Sequence, residues 1–145
     1  MRIGLVVDAT CDLPPEFLAA HNIRVLPIGI RVGERRIVDD RDPDTTLKFY
    51  SQDLPKVGPE DGSEPLTPAQ THDWFLEKLV TDFDYVICLT VSSQRSPIFD
   101  NATQASFSLL QSYKERRAAA GIAGPFALRV IDSQTVFAGL AVLAA

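Results

Sequence analysis

The stretch YVICLTVSSQRSPIFDNATQA, residues 85–105, decides how the rest of the chain is read. Tyr85–Val91 is a short apolar run rich in β-branched and aromatic residues, the composition of a buried strand. It passes directly into hydroxyl side chains at Thr90, Ser92, Ser93 and Ser96. Pro97 stands where the first turn of a helix tolerates proline, with Ser96 as the expected N-cap. Ile98, Phe99, Ala102, Ala105, Phe107, Leu109 and Leu110 are the expected buried positions of that helix. The stretch therefore reads as a strand ending in small hydroxyls beside a helix N-terminus. In open α/β sheets, ligands lie at the carboxyl ends of strands, and free backbone N–H groups favour an anionic head group there. The plainer reading is that Ser92, Ser93 and Ser96 only shape the turn and cap the helix.

Short β-rich runs recur on either side. Arg2–Val7 (RIGLVV) is an opening strand that stops at the polar loop Asp8–Asp12. Pro14 and Pro15 start a short helix through Ala20. Residues 24–32 alternate and contain Pro27, which predicts an edge strand or a strand bent at the proline. Gly33-Glu34 forms a tight turn into Arg35–Val38, giving a hairpin. Asp44 or Thr45 is expected to cap a helix to about Ser51 that buries Leu47 and Phe49 or Tyr50. Leu54–Pro68, with four prolines and two glycines, reads as an irregular loop of the length that often carries function. Thr67 and Gln70 have the spacing of a capping box. They open a helix over 67–80 whose inner side is Trp74, Phe75, Leu76 and Leu79. A long helix over 97–118 and a strand over 126–131 complete the pattern. The expectation is an α/β fold: a single domain over 1–145 with a mostly parallel sheet flanked by helices. Gln134–Ala145 resembles the start of a buried helix without a C-terminal cap, so the chain is expected to have been cut there. Its apolar side chains, Val136, Phe137, Leu140 and Leu143, are expected to be exposed and to favour self-association.

Composition narrows the function. With 145 residues, 46% of them apolar, the chain can bury an ordinary core. A net charge of −5 with no basic block argues against nucleic acid. The basic run Lys114–Arg117 lies late in a helix, where cations suit the dipole. No apolar segment reaches membrane-span length and no signal pattern opens the chain, so a cytoplasmic protein is expected. Cys11 and Cys88 lack metal-ligand spacing; Cys88 reads as core and Cys11 as a loop thiol. The acidic cluster Asp39, Asp40, Asp42 and Asp44 lacks the glycine and closing glutamate of a calcium loop, so no metal site is expected. His21 and His72 are isolated, and no G-x-S-x-G elbow is present. A serine hydrolase using Ser93 or Ser96 is therefore the weakest reading, and no catalytic residue is expected.

Taken in order, several stretches resemble the DegV family of bacterial fatty-acid-binding proteins. Asp8-Ala9-Thr10-Cys11-Asp12-Leu13-Pro14 is similar to the family's D-S-T-A-D-L-P, and Val25-Leu26-Pro27 to its V-x-P-L strand. Gly62-Ser63-Glu64-Pro65 stands where the family has T-S-Q-P. Ser92–Ala102 resembles S-S-x-L-S-G-T-Y-Q-S-A, and Val130-Ile131-Asp132-Ser133 the V-I-D-S strand. The resemblance implies the N-terminal domain of a lipid carrier that holds a long-chain fatty acid between two α/β domains, without catalysis or cofactor. Ser63, Ser92, Ser93 and Ser96 carry over as the lipid-binding residues. A fatty acid kinase subunit is the implied protein partner. Three departures bear on that site: Gly62 replaces the threonine, and Pro97 and Ile98 replace the Gly-Thr pair. They leave open the alternative of a degenerate domain that serves as a protein-interaction module without lipid.

Overall fold

Three β-branched-rich runs become the centre of the structure: β1 (Ile3–Asp8), β6 (Tyr85–Thr90) and β7 (Ala127–Asp132). The computed structural model describes residues 1–145. With β2 (Arg24–Leu26), these strands form a wholly parallel sheet in the order β2-β1-β6-β7. Parallel neighbours require crossovers. Helix α1 (Pro15–Ala20) links β1 to β2, and α4 (Ile98–Ala119) links β6 to β7. Helix α3 (Pro68–Lys78) packs beside α4. Both faces of the sheet carry apolar side chains. Val6, Val86 and Cys88 pack with Phe75, Leu79, Ala102 and Leu109, whereas Val7 and Leu89 pack with Cys11, Leu18, Ile23 and Leu140. Phe75 and Leu79 are fully buried, each contributing ~1.5–3 kcal/mol through removal from water.

The span 24–32, expected as one bent strand, is two strands in two sheets. Pro27 lies between β2 and β3 (Ile28–Val32) and has no N–H with which to continue the ladder. Beyond it the chain leaves the parallel sheet. The expected hairpin forms from β3 and β4 (Arg35–Asp39), turning at Gly33, whose φ of +58° suits glycine. The segment Leu54–Pro68 departs from its reading as irregular throughout. Gly62–Pro65 is strand β5, antiparallel to β3 with Ile30 opposite Ser63 and Ile28 opposite Pro65. Composition hides it because the strand lies at an edge, where proline is tolerated. Tertiary partners fix it. Glu64 pairs with Arg31 and Arg36 at 3.1 Å each, and the Asp61 carboxylate accepts from the backbone N–H groups of Gly33 and Gly58. Gly29 allows the close approach, since a Cβ there would meet the Glu64 carbonyl oxygen at 2.9 Å.

The helices also correct several expectations. Asp42, not Asp44 or Thr45, caps α2 (Pro43–Lys48), accepting from Thr45 N at 2.8 Å. The chain then passes into a π-helical turn over Phe49–Asp53, and Leu47 and Tyr50 face solvent. In α4, Ile98, Ala102, Ala105 and Leu109 are buried, but Phe107 and Leu110 are exposed. At 3.6 residues per turn, Phe107 lies about half a turn round from Ile98, on the outer face. Pro97, not Ser96, occupies the N-cap, and no side chain caps the helix. The capping box at Thr67 and Gln70 is present, with bonds of 3.3 and 3.0 Å. Arg117, read from the sequence as one of the late-helix cations that suit the dipole, is buried. Its guanidinium donates to the carbonyls of Val80 and Phe83 and to Asp84. In the C-terminal segment, α5 (Ala138–Ala144) buries Leu140 completely and Val136 packs partly buried against the core, both contrary to expectation; of the large apolar side chains there, Phe137, Val142 and Leu143 are exposed. No helix is long and apolar enough to cross a membrane.

Candidate functional site

The carboxyl ends of β1 and β6 are held together by one side chain. Asp8, the last residue of β1, is fully buried. One carboxylate oxygen accepts from Thr10 N at 2.9 Å and Thr10 Oγ1 at 2.5 Å; the other accepts from Val91 N at 2.5 Å. Hydrogen bonds to a charged acceptor compensate for its burial. The end of β6 is tied in turn to the chain after β7: Ser92 N donates to the Thr135 carbonyl and Ser133 N to the Thr90 carbonyl. A tight turn follows, with the N–H groups of Arg95 and Ser96 both directed at the Ser92 carbonyl. It delivers the chain to Pro97 and the start of α4.

These loops line an open-sided cavity of about 560 Å³, within the range of small-molecule sites. Thr10 enters from the β1 loop, Ile28 from β3, Ser63 and Pro65 from β5, and Val91 from the end of β6. Arg95, Ser96, Pro97 and Ile98 line it from the turn and the first residue of α4, and Val136 and Phe137 from the segment after β7. Phe137 has φ +45° and ψ −109°, a conformation a non-glycine residue rarely adopts, held between the Ser133–Thr135 turn and α5. The lining combines an apolar wall with hydroxyls and one cation.

The four serines expected from the sequence fall into two pairs. Ser63 and Ser96 line the cavity together, although 33 positions separate them in the sequence. Ser92 and Ser93 do not line it. Ser92 is buried, and its Oγ accepts from Gln94 N at 3.3 Å. Ser93 Oγ donates to Asp132 at 2.7 Å, and Ser93 N donates to the same carboxylate at 3.2 Å. The Ser93 hydroxyl is the main reason that the Asp132 carboxyl is held below the usual range. A hydroxyl has one proton; that of Ser93 goes to Asp132, and that of Thr10 to Asp8. No side-chain acceptor engages Ser63, and Ser96 Oγ only accepts, from Ile98 N at 3.4 Å. Ser63 and Ser96 therefore present free donors at the cavity.

The departures at Gly62, Pro97 and Ile98 read differently in the structure. Alternate residues of a strand face opposite ways. Ser63 and Pro65 line the cavity, so Gly62 and Glu64 belong to the other face of β5. A hydroxyl at Gly62 would thus add no donor to the cavity. Pro97 and Ile98 extend the apolar wall.

Nothing at the cavity pairs a nucleophile with a base. His72 contacts Ser112 Oγ at 2.8 Å and Asp73 at 3.0 Å, but it ties α3 to α4 away from the cavity lining. His21 ends α1. Cys11 is buried, and burial pushes its thiol up, as it does that of Cys88; this is the opposite of an activated thiolate. No cluster of His, Cys, Asp and Glu is suited to a metal ion. Thr10, Ile28 and Arg95 are cavity residues that sequence reasoning did not single out. Arg95 stood inside the quoted stretch, flanked by the serines, but nothing in its spacing distinguishes it from a solvated turn residue.

The profile of the family described as "Uncharacterised protein, DegV family" matches residues 2–145. The chain belongs to the DegV family. It is 51% identical over 144 residues to a DegV domain-containing protein of Xanthomonas axonopodis pv. citri, covering 99% of this chain and 46% of that protein. A Thermotoga maritima "fatty acid-binding protein" is 28% identical over 111 residues, covering 73% of this chain and 37% of that one. The chain spans about half the length of the Xanthomonas relatives it matches. Among solved DegV-type structures, a lipid-binding protein of Thermotoga maritima superposes with a TM-score of 0.74 at 21% identity, over 94% of this chain and 43% of that one. The Streptococcus pneumoniae fatty acid kinase B3 protein, loaded with linoleic acid, gives 0.70 at 18% identity, over 99% of this chain and 46% of that one. These likenesses confirm the α/β fold.

Proposed function

We propose that residues 1–145 are the N-terminal domain of a DegV-type fatty-acid carrier, and that the cavity at the β5–α4 junction receives the carboxylate end of a long-chain fatty acid. One observation carries the reading: a single cavity joins free hydroxyl donors on Ser63 and Ser96 to an apolar wall of Ile28, Val91, Ile98 and Val136. A fatty acid has the same division, a hydrogen-bond acceptor at one end and methylenes beyond. Family relationship supports it, because structures of this fold hold vaccenic, stearic and heptadecanoic acids. Ser92 and Ser93 support the site from behind, joining the ends of β6 and β7. Presentation of the bound acid to a kinase partner is part of the proposal, supported by the likeness to the kinase B3 protein.

The energetics divide the work. Each methylene removed from water contributes ~0.8 kcal/mol, and a hydrogen bond to a charged head group ~1.5–3 kcal/mol. An open-sided cavity leaves much of a long tail in water. Residues 1–145 alone should therefore bind a fatty acid weakly. A chain carrying a second domain, at the length of the relatives, should bind it tightly. Calorimetric titration with a long-chain fatty acid compares this chain with a chimaera extended by the second half of the Xanthomonas axonopodis relative. Tighter binding by the chimaera supports the proposal, and equal tight binding by both contradicts the two-domain part of it. Absence of binding by both, with no acyl ligand retained in native mass spectrometry, favours the interaction-module reading.

A further inference from the structure

Resting on the fatty-acid reading of this cavity, we infer that Arg95 is the charge that receives the ligand's anionic head group and sets the preference for an acid over a neutral amphiphile. Arg95 is the one charged residue among those lining the cavity. It is exposed and pairs with no carboxylate, whereas Arg31, Arg35 and Arg36 near the β3–β4 hairpin and the buried Arg117 each do. Its guanidinium keeps all its donors available, in a planar fork that matches a carboxylate.

The surroundings favour such a cation. Two carboxylates stand directly behind the hydroxyl-bearing loops: Asp8, bonded to Thr10 and Val91, and Asp132, bonded to Ser93. Their charge opposes the entry of a third anion. Both also take up the hydroxyl protons of the nearest candidates, so neither Thr10 nor Ser93 can donate to a ligand in this arrangement. The free donors are Ser63, Ser96 and Arg95, and only Arg95 offsets the negative potential. The turn that carries it is fixed by the bonds of Arg95 N and Ser96 N to the Ser92 carbonyl, which places the cation one residue from the Ser96 hydroxyl. Hydroxyls supply direction to the head group; the arginine supplies selection by charge.

The test compares an acid with a neutral analogue of the same tail on this chain. Octanoate and 1-octanol are titrated separately into the ¹⁵N-labelled protein, and the amide resonances of cavity residues give both affinities even where binding is weak. In the unsubstituted chain, octanoate should bind more tightly than octanol, with an advantage that shrinks at high salt. Arg95→Gln should lower octanoate affinity about five- to tenfold, the range between an exposed ion pair and a charged hydrogen bond. It should leave octanol affinity unchanged, and Arg95→Lys should restore much of the acid preference. An unchanged acid preference in a folded Arg95→Gln protein overturns the inference while leaving the lipid reading standing. Failure of both amphiphiles to perturb the cavity of the unsubstituted chain overturns the lipid reading and the inference with it.

Discussion

Replacing Asp8 with asparagine tests how the cavity rim is held. The substitution keeps size and shape but turns one of two acceptor oxygens into a donor. The buried carboxylate takes two hydrogen bonds from Thr10 on one oxygen and one from Val91 N on the other. Whichever way the amide turns, a donor then faces a donor. The less damaging orientation keeps both Thr10 bonds and strands the buried Val91 N–H. That arrangement loses one charge-assisted bond, ~1.5–3 kcal/mol, and leaves a buried group unpaired, ~1–3 kcal/mol. The two costs overlap, so Asp8→Asn should lose ~2–4 kcal/mol. Asp8→Ala, which removes every acceptor, should lose ~3–5 kcal/mol, as when one member of a buried charged network is deleted. Both are large fractions of the ~5–15 kcal/mol stability of an ordinary domain. Urea unfolding followed by circular dichroism measures them, the midpoint falling at constant slope. Thr10 and Val91 line the cavity, so weaker octanoate binding should accompany the lost stability. An Asp8→Asn protein within ~0.5 kcal/mol of the unsubstituted chain, too small for any buried unpaired donor, would refute the argument.

The remaining predictions are independent of that joint. Arg117→Met should cost ~3–5 kcal/mol in urea unfolding, because it strands the Val80 and Phe83 carbonyls and removes a partner of Asp84. Stability should also fall in acid. The Asp84 carboxyl is held low by the hydrogen-bonded Arg2 and then Arg117, and the Asp132 carboxyl by the Ser93 hydroxyl. Groups depressed on folding contribute fully above their unfolded value of ~3.9, and that contribution is lost as pH falls through the folded values. Urea midpoints between pH 7 and 3 should therefore decline most below about pH 4, and Asp84→Asn should show a shallower decline from a lower start. Ser63→Ala and Ser96→Ala should each weaken acid binding by ~1 kcal/mol, about fivefold, in the calorimetric titration while leaving the fold intact.

Much of the fold was legible because its determinants are local. Tyr85–Val91, Arg2–Val7 and the run before Asp132 carry strand composition, and Thr67-Pro68 with Gln70 marks a helix start whose capping box forms as spaced. What escaped depends on partners distant in sequence. The strand at Gly62–Pro65 exists because Ile28–Val32 offers it an edge and Arg31 and Arg36 hold Glu64. Arg117 is buried because the carbonyls of the α3–β6 connection converge on it, a convergence that no periodicity reveals. At the cavity, Ser63 and Ser96 were named from a resemblance and the structure brings them together. The engagement of Ser93 by Asp132, and the freedom of Arg95, required hydrogen-bond partners that only the folded chain specifies.

In the proposed complex, the cavity between Ser63 and Ile98 holds a fatty acid with its carboxylate toward Ser63, Arg95 and Ser96. Intermolecular nuclear Overhauser effects between a ¹³C-labelled fatty acid and the protein test it most directly. Contacts are expected from the acyl methylenes to the methyl groups of Ile28, Val91, Ile98 and Val136, and from the carbon beside the carboxylate to Ser63 and Ser96. Contacts confined to Ile30, Val38 and Tyr50, around the smaller cavity beneath the β3–β4 hairpin, would contradict it.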